Sequence, residues 1–154
     1  MDIKPIRDLR RDETPRSVVV LAETDTYGVC VIKYADKHLL QNERHALEKM
    51  GKTAYVPHLF RATDTMIVME FIHYDVVTDP GEFMQHYDTL IMMLGVAGLR
   101  HGNLTKYSVL VRDNTPILID WAASRADGDP RPDKRPEGDA YWLRETMKQL
   151  AGIE

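Results

Sequence analysis

The tightest constraint on the fold is a pair of β-branched apolar runs, "SVVVLAE" and "YGVCVIKYA", joined only by "TDT". So short a polar connection reads as the turn of an antiparallel hairpin. The next segment, "DKHLLQNERHALEKMG", changes period. Leu39, Leu40, Glu43, Ala46, Leu47 and Met50 recur at helical spacing, with Asp36 as the N-cap and Gly51 as the stop. Glu43 falls on or near the apolar side of that helix, where an unpaired carboxylate is costly. "PHLFRAT" and "TMIVMEFI" then repeat the hairpin pattern. The first 72 residues therefore predict four strands and one helix.

The pattern shifts after "TDPGE". Residues 83 to 99 are rich in helix formers and apolar side chains, which predicts one long buried helix preceded by a short turn or helix. "SVLVRDNTPILID" predicts another hairpin, turning at Asn114 and Thr115, with Asp120 ending its second strand. "RADGDPRPDKRPEGD", residues 125 to 139, is dense in Pro, Gly and charge and predicts a mobile loop. "GDAYWLRETMKQLAG" predicts an amphipathic helix with Asp139 near its start. At 154 residues the chain fits one α+β domain, residues 1–154, with a sheet-plus-helix half (1–72) and a mostly helical half (73–154).

Composition removes several classes of function. A formal net charge of −4 argues against a nucleic-acid binder that relies on a diffuse positive surface. Cys30 is the only cysteine, which excludes an intramolecular disulfide and a cysteine-based metal cluster and fits a reducing compartment. The N-terminal "MDIKPIRDLRRDETPR" has no apolar core, and no run approaches the roughly 18 to 20 apolar residues of a membrane span. The expectation is a cytoplasmic protein that binds neither membrane nor nucleic acid.

Four positions line up for chemistry: Lys33 on a strand, Glu43 on the following helix, His101–Gly102–Asn103 after the long helix, and Asp120. Phosphoryl transfer from ATP needs these residue types. An ammonium holds the phosphates, a carboxylate aims that ammonium, a second carboxylate binds magnesium, and a further group orients or deprotonates the acceptor.

In this order and context the chain resembles a very small member of the protein kinase-like superfamily, closest in style to its aminoglycoside phosphotransferase and RIO-type branches. "VCVIKY" is similar to the V-A-I-K strand, "NERHALEKM" to the helix that supplies the ion-pair Glu, and "IVMEFI" to the strand entering the adenine-contacting hinge. "AGLRHGNLTKYSVLV" resembles the catalytic loop, and "LIDWAA" the magnesium-binding D-F-G element. The similarity runs from about residue 17 to 150. It implies a two-lobe fold, with a small antiparallel-sheet N-lobe carrying one helix and a reduced, mostly helical C-lobe in which residues 123–138 stand where the activation loop would be. It also implies ATP and Mg2+ as ligands, with Lys33, Glu43, Glu70 and Ile72 on the nucleotide and Asp120 and Ser108 on the metal. His101 becomes scaffold beneath the D-F-G-type strand, and Asp139 either caps the last helix or ties it to the catalytic loop.

Three positions depart from the family pattern. The catalytic Asp is replaced by Asn103, which hydrogen-bonds but is not ionised at neutral pH. The second metal-binding position, Asn in the family, is Ser108, a neutral and shorter oxygen ligand. The glycines of G-x-G-x-x-G-x-V fall on Arg11, Glu13 and Arg16, with Val18 at the valine. Side chains at those places keep backbone amides from phosphates, unless the guanidinium of Arg10, Arg11 or Arg16 grips them instead. Kinases of this superfamily continue with further helices past the one at 139–151, so apolar surface is expected on the C-terminal half, with a homodimer or a stable complex with a protein partner covering it.

Two readings stay open at this level. One is a pseudokinase, a kinase fold used as a nucleotide-binding or protein-interaction module. A nucleotide-dependent switch that binds ATP through Lys33, Glu43 and Asp120 and changes a partner's affinity without transfer is not separable from it. The other is an active, atypical ATP-dependent phosphotransferase, since loss of a general base costs about 10²- to 10⁴-fold without abolishing reaction.

Overall fold

The computed structural model describes residues 1–9 and 17–153. The positions expected at the phosphate clamp, Arg10, Arg11, Glu13 and Arg16, lie outside the described residues.

Five antiparallel strands make one sheet: β1 (Ile3–Asp8), β2 (Ser17–Thr24), β3 (Gly28–Ala35), β4 (Leu59–Ala62) and β5 (Met66–Glu70), in the order β1-β2-β3-β5-β4. The first hairpin is in continuous register from Ser17 opposite Ala35 to Thr24 opposite Gly28. The sequence predicts four strands in this half, and β1 is the addition. Its "IKPIRD" shows no apolar alternation because only Ile3 is partly covered. The strand is specified by its ladder to β2, and Pro5, beside an irregularity in that ladder, is tolerated because β1 is an edge.

Alternation along β3 decides where the charge goes. Cys30 and Ile32 face one side, in a small buried cluster with Ala22 and Val68. Val31 and Lys33 face the other, the side covered by helix α1 (Lys37–Met50). Leu40, Glu43, Ala46, Leu47 and Met50 are the buried residues of α1, the periodicity read from the sequence. Asp36 stands at its N-cap, but its side chain accepts no capping bond.

Helix α2 (Pro80–Ala97) opens with Asp79 accepting from the Glu82 amide at 3.1 Å and closes on Gly98 in the left-handed region. The expectation of a wholly buried helix is corrected. Phe83, Leu90 and Leu94 are buried, whereas Met92 and Val96 are 56% and 80% exposed. The run "LIMMLGVA", apolar all around the last two turns, hides which stripe is covered; the neighbours decide it.

Two small ladders and a last helix complete the chain: β6 (Leu99–Arg100) with β9 (Arg125–Ala126), β7 (Val109–Arg112) with β8 (Thr115–Leu118), and α3 (Asp139–Leu150). The β7–β8 turn is Asp113–Asn114, one residue earlier than predicted, with both at positive φ, which short polar side chains tolerate. Asp120 does not end β8. It lies two residues beyond, at φ 67°, ahead of a 3₁₀ turn at Trp121–Ala123. Buried residues from both halves form one core, among them Leu47 of α1, Met69 of β5, Leu90 of α2, Trp121 and Leu143 of α3. Among the described residues no helix is long and apolar enough to cross a membrane.

Candidate functional site

Lys33 lies two residues before the end of β3, beneath α1, with a side chain 3% exposed, and Glu43, about two turns into the helix on its buried face, meets it at 2.6 Å. Asp120 approaches the same ammonium at 3.0 Å across a separation of 87 residues. Burial alone would lower the Lys33 pKa. The fields of Glu43 and Asp120 and their hydrogen bonds outweigh it and raise the pKa, so the lysine stays charged.

One ammonium faces two carboxylates, and only one of the three groups is open: the Asp120 side chain is 47% exposed. A surplus negative charge beside a solvent-facing carboxylate suits a divalent cation. Among the described residues no cluster of three or more His, Cys, Asp or Glu forms a protein-only metal cage. A magnesium ion held here would therefore lean on Asp120 and on phosphate oxygens brought by a nucleotide.

The Asp120 backbone sits in the left-handed region, which costs of order 1–3 kcal/mol for a non-glycine residue unless neighbours fix it. Here they do. The Trp121 amide donates to Glu43 Oε2 at 3.2 Å, Asn42 Nδ2 donates to the Ala122 carbonyl at 3.0 Å, and Ser124 Oγ donates to the Asn42 carbonyl at 3.2 Å. The helix that aims Lys33 also holds the segment that aims Asp120. Asn42 is a functional neighbour the sequence did not flag, because a polar residue beside Glu43 reads as solvated.

The loop after α2 is built from its ends inward. Asp139 ties α3 to it, accepting from the His101 amide at 2.6 Å and the Gly102 amide at 2.9 Å, and makes no cap of its own helix. His101 is fully buried against Trp121, with ring centroids 4.7 Å apart. Its Nδ1 accepts from the Asn103 amide at 3.2 Å, which leaves Nε2–H to donate to the Ile119 carbonyl at 2.8 Å. Burial is the main cause holding its pKa below 6.5, against opposing pulls from the Ile119 carbonyl and nearby carboxylates, so the ring is neutral scaffold. Gly102 is at φ 84°, and a Cβ there would lie 3.1 Å from the Ala123 carbonyl and 3.2 Å from Asp133 Oδ1.

The remaining predicted residues are placed less centrally. Asn103 is partly buried, and its side-chain amide makes no hydrogen bond among the described residues. Ser108 Oγ is buried, accepting from the Thr105 amide at 2.8 Å and facing the carbonyls of Thr105 and Asn103, so it braces the loop. Glu70 is not with Lys33. Its carboxylate pairs with Arg112 at 2.9 Å and accepts from the His58 amide at 3.1 Å. Ile72 is buried just past the end of β5.

The segment 125–139, predicted as a mobile loop, is pinned by Arg100, which no motif marked, and its last residue already opens α3. Arg100 donates to the Asp129 carbonyl at 2.8 Å and pairs with Asp133 at 3.2 Å, and the Arg135 amide donates to the Gly102 carbonyl. A lone arginine ahead of His101 carries no periodicity to mark it.

Comparison with known proteins agrees with this geometry. No curated protein matches the chain. Among solved structures, the crystal structure of the Rio2 kinase-ADP/Mg2+-phosphoaspartate complex from Chaetomium thermophilum superposes with a TM-score of 0.64 at 16% sequence identity, covering 96% of this chain and 54% of that one. The chain thus spans about half the length of that protein and shares its protein kinase-like fold. The family model described as RIO1, the RIO domain, matches residues 25–135, a stretch that holds Lys33, Glu43, the 101–108 loop and Asp120, and the chain belongs to the RIO domain family.

Proposed function

We propose that the chain is a pseudokinase: a nucleotide-binding module in which Lys33 and Asp120 hold the phosphates and Mg2+ of ATP, and in which Asn103 has removed transfer to hydroxyl acceptors. One observation carries this reading. A charged, buried lysine is aimed by Glu43 toward a half-exposed Asp120, while the loop beside it offers an amide where a base would stand. When bound, ATP supplies a transferable γ-phosphoryl group. Lys33 neutralises phosphate charge; Glu43 fixes the ammonium; Asp120 supplies the metal's protein oxygen. Ser108, committed to its own loop, leaves that contact to Asp120. The ADP and Mg2+ in the name of the Rio2 structure support the ligand pair. The module acts in the cytoplasm through a protein partner or a second copy.

A second reading is favoured by the exposure of Asp120 itself. A carboxylate acceptor carries no proton at neutral pH, so passing the γ-phosphoryl group from ATP to an aspartate oxygen, with ADP leaving, needs no general base. The phosphoaspartate in the Rio2 name is consistent with such chemistry in a structural relative.

Calorimetry of ATP with and without Mg2+, on wild type beside Lys33→Ala and Asp120→Asn, tests the module. Magnesium-dependent binding lost in both variants is the expected result; binding indifferent to both would reject it. Radiolabel from γ-labelled ATP that stays on wild type, leaves with hydroxylamine and has its attachment point mapped to residue 120 as homoserine after borohydride reduction would replace the first reading with the second. Label on an added protein or small hydroxyl acceptor would instead restore ordinary phosphotransfer.

A further inference from the structure

A second concavity, about 620 Å³ in volume and open to solvent, lies between the turn at 105–107 and one side of α3. It shares no residue with the Lys33 site. Its size is that of a ligand site, and its charge is opposite to that of the chain. Among the described residues Lys106, Arg135 and Lys148 line it against a single carboxylate, Glu145, in a protein of net charge −4. Among the described residues none of these three cations lies within ion-pair distance of a carboxylate.

Arg135 is the best defined of the three. Its guanidinium carbon stands 3.5 Å from the centroid of the Trp142 ring, and that ring is fixed by its Nε1–H donating to Glu137 at 2.8 Å. Arg135 Nε is buried without a hydrogen-bond partner among the described residues. A flat guanidinium clamped by its face offers its edge to a carboxylate. Tyr107 and Tyr141, 70% and 51% exposed, add two aromatic walls.

We propose that this groove docks an acidic segment of a protein partner, its carboxylates on Lys106, Arg135 and Lys148 and an apolar or aromatic side chain against Tyr107 and Tyr141. Charge complementarity selects the sign of the ligand, and exposed tyrosines beside cations that make no ion pair among the described residues are the composition of a peptide-binding surface. Nucleic acid fits less well. The Trp142 ring is already covered by Arg135, which removes the best stacking platform, and the acidic surface beyond the groove repels a long polyanion. The groove also communicates with the nucleotide loop. Thr105, on its wall, donates its amide to the same Ser108 hydroxyl that faces the Asn103 carbonyl.

The test uses the full chain and fluorescence anisotropy with a short labelled peptide of alternating Glu and Tyr. Controls are the same peptide with Gln for Glu and a uridine oligonucleotide of equal length. The Glu/Tyr peptide should bind at least about tenfold more tightly than either control, and the Lys106→Glu/Lys148→Glu protein should lose about tenfold or more. Lys37→Glu, a charge reversal outside the groove, should keep full affinity, and so should the wild-type chain without ATP or Mg2+. Docking that needs neither ligand separates this inference from the proposed nucleotide function. Should the double charge reversal unfold the chain, Lys106→Gln and Tyr141→Ser each carry the same direction of loss. Equal binding of the Gln peptide, an equal loss in Lys37→Glu, tighter binding of the oligonucleotide, or no binding at millimolar peptide would each overturn the proposal.

Discussion

Lys33 is tolerated in the interior only through its two carboxylate neighbours, so its removal reports on them. Lys33→Ala leaves Glu43, 2% exposed, as an uncompensated buried charge, and the expected cost is about 3–5 kcal/mol in urea unfolding. Replacing both partners with apolar residues of similar size, Lys33→Met with Glu43→Leu, should cost less, because no buried charge is orphaned: Asp120 is half-exposed and hydrated, and the remaining loss is the Trp121 amide's acceptor. His101 gives a pH signature of defined sign. Its folded pKa lies below 6.5, so as pH falls through 6.5 the unfolded chain takes up a proton first. Its stabilising contribution is complete above 6.5 and is lost as pH drops toward the folded value. Thermal unfolding across this window should show a falling midpoint that His101→Gln flattens. Lys33 and Glu43 were legible in the sequence because each interrupts an apolar pattern. The left-handed backbone of Asp120 was not, since an aspartate after an apolar run reads as the end of a strand.

Between elements, the tie from α3 to the 101–108 loop rests on one side chain. Both oxygens of Asp139 accept backbone amides, and hydrogen bonds to charged groups are worth about 1.5–3 kcal/mol each. Asp139→Asn keeps the shape but can accept only one of the two. The expected result is hydrogen exchange at His101 and Gly102 faster by about tenfold or more, while exchange within α1 is unchanged; equal protection in the variant would show the loop to be held by other contacts. At this scale the hairpins and helices were legible wherever period and turn residues agree. β1 was not, because an edge strand written "IKPIRD" is set by its partner's free hydrogen-bonding groups and carries no pattern of its own. The covered stripe in the second half of α2 was equally hidden, since both faces of "LIMMLGVA" are apolar in sequence.

Across the whole molecule, the proposed ligand should act as a fold stabiliser. With free Mg2+ and ATP at about a hundred times Kd, linkage predicts about 2.7 kcal/mol, seen as a concentration-dependent rise in thermal midpoint that Asp120→Asn abolishes. The order of elements was readable because each hairpin closes locally. The meeting of Lys33 with Asp120 spans 87 residues, and no local period encodes it. In the sequence only the family resemblance places the two residues together. The core of both halves is continuous, with Leu47, Met69, Leu90, Trp121 and Leu143 in one cluster. A gene cut near codon 72 would therefore yield two fragments that each present half a core to water. Such fragments would be poor units for recombination, and good ones for a split reporter whose signal appears only when the two meet.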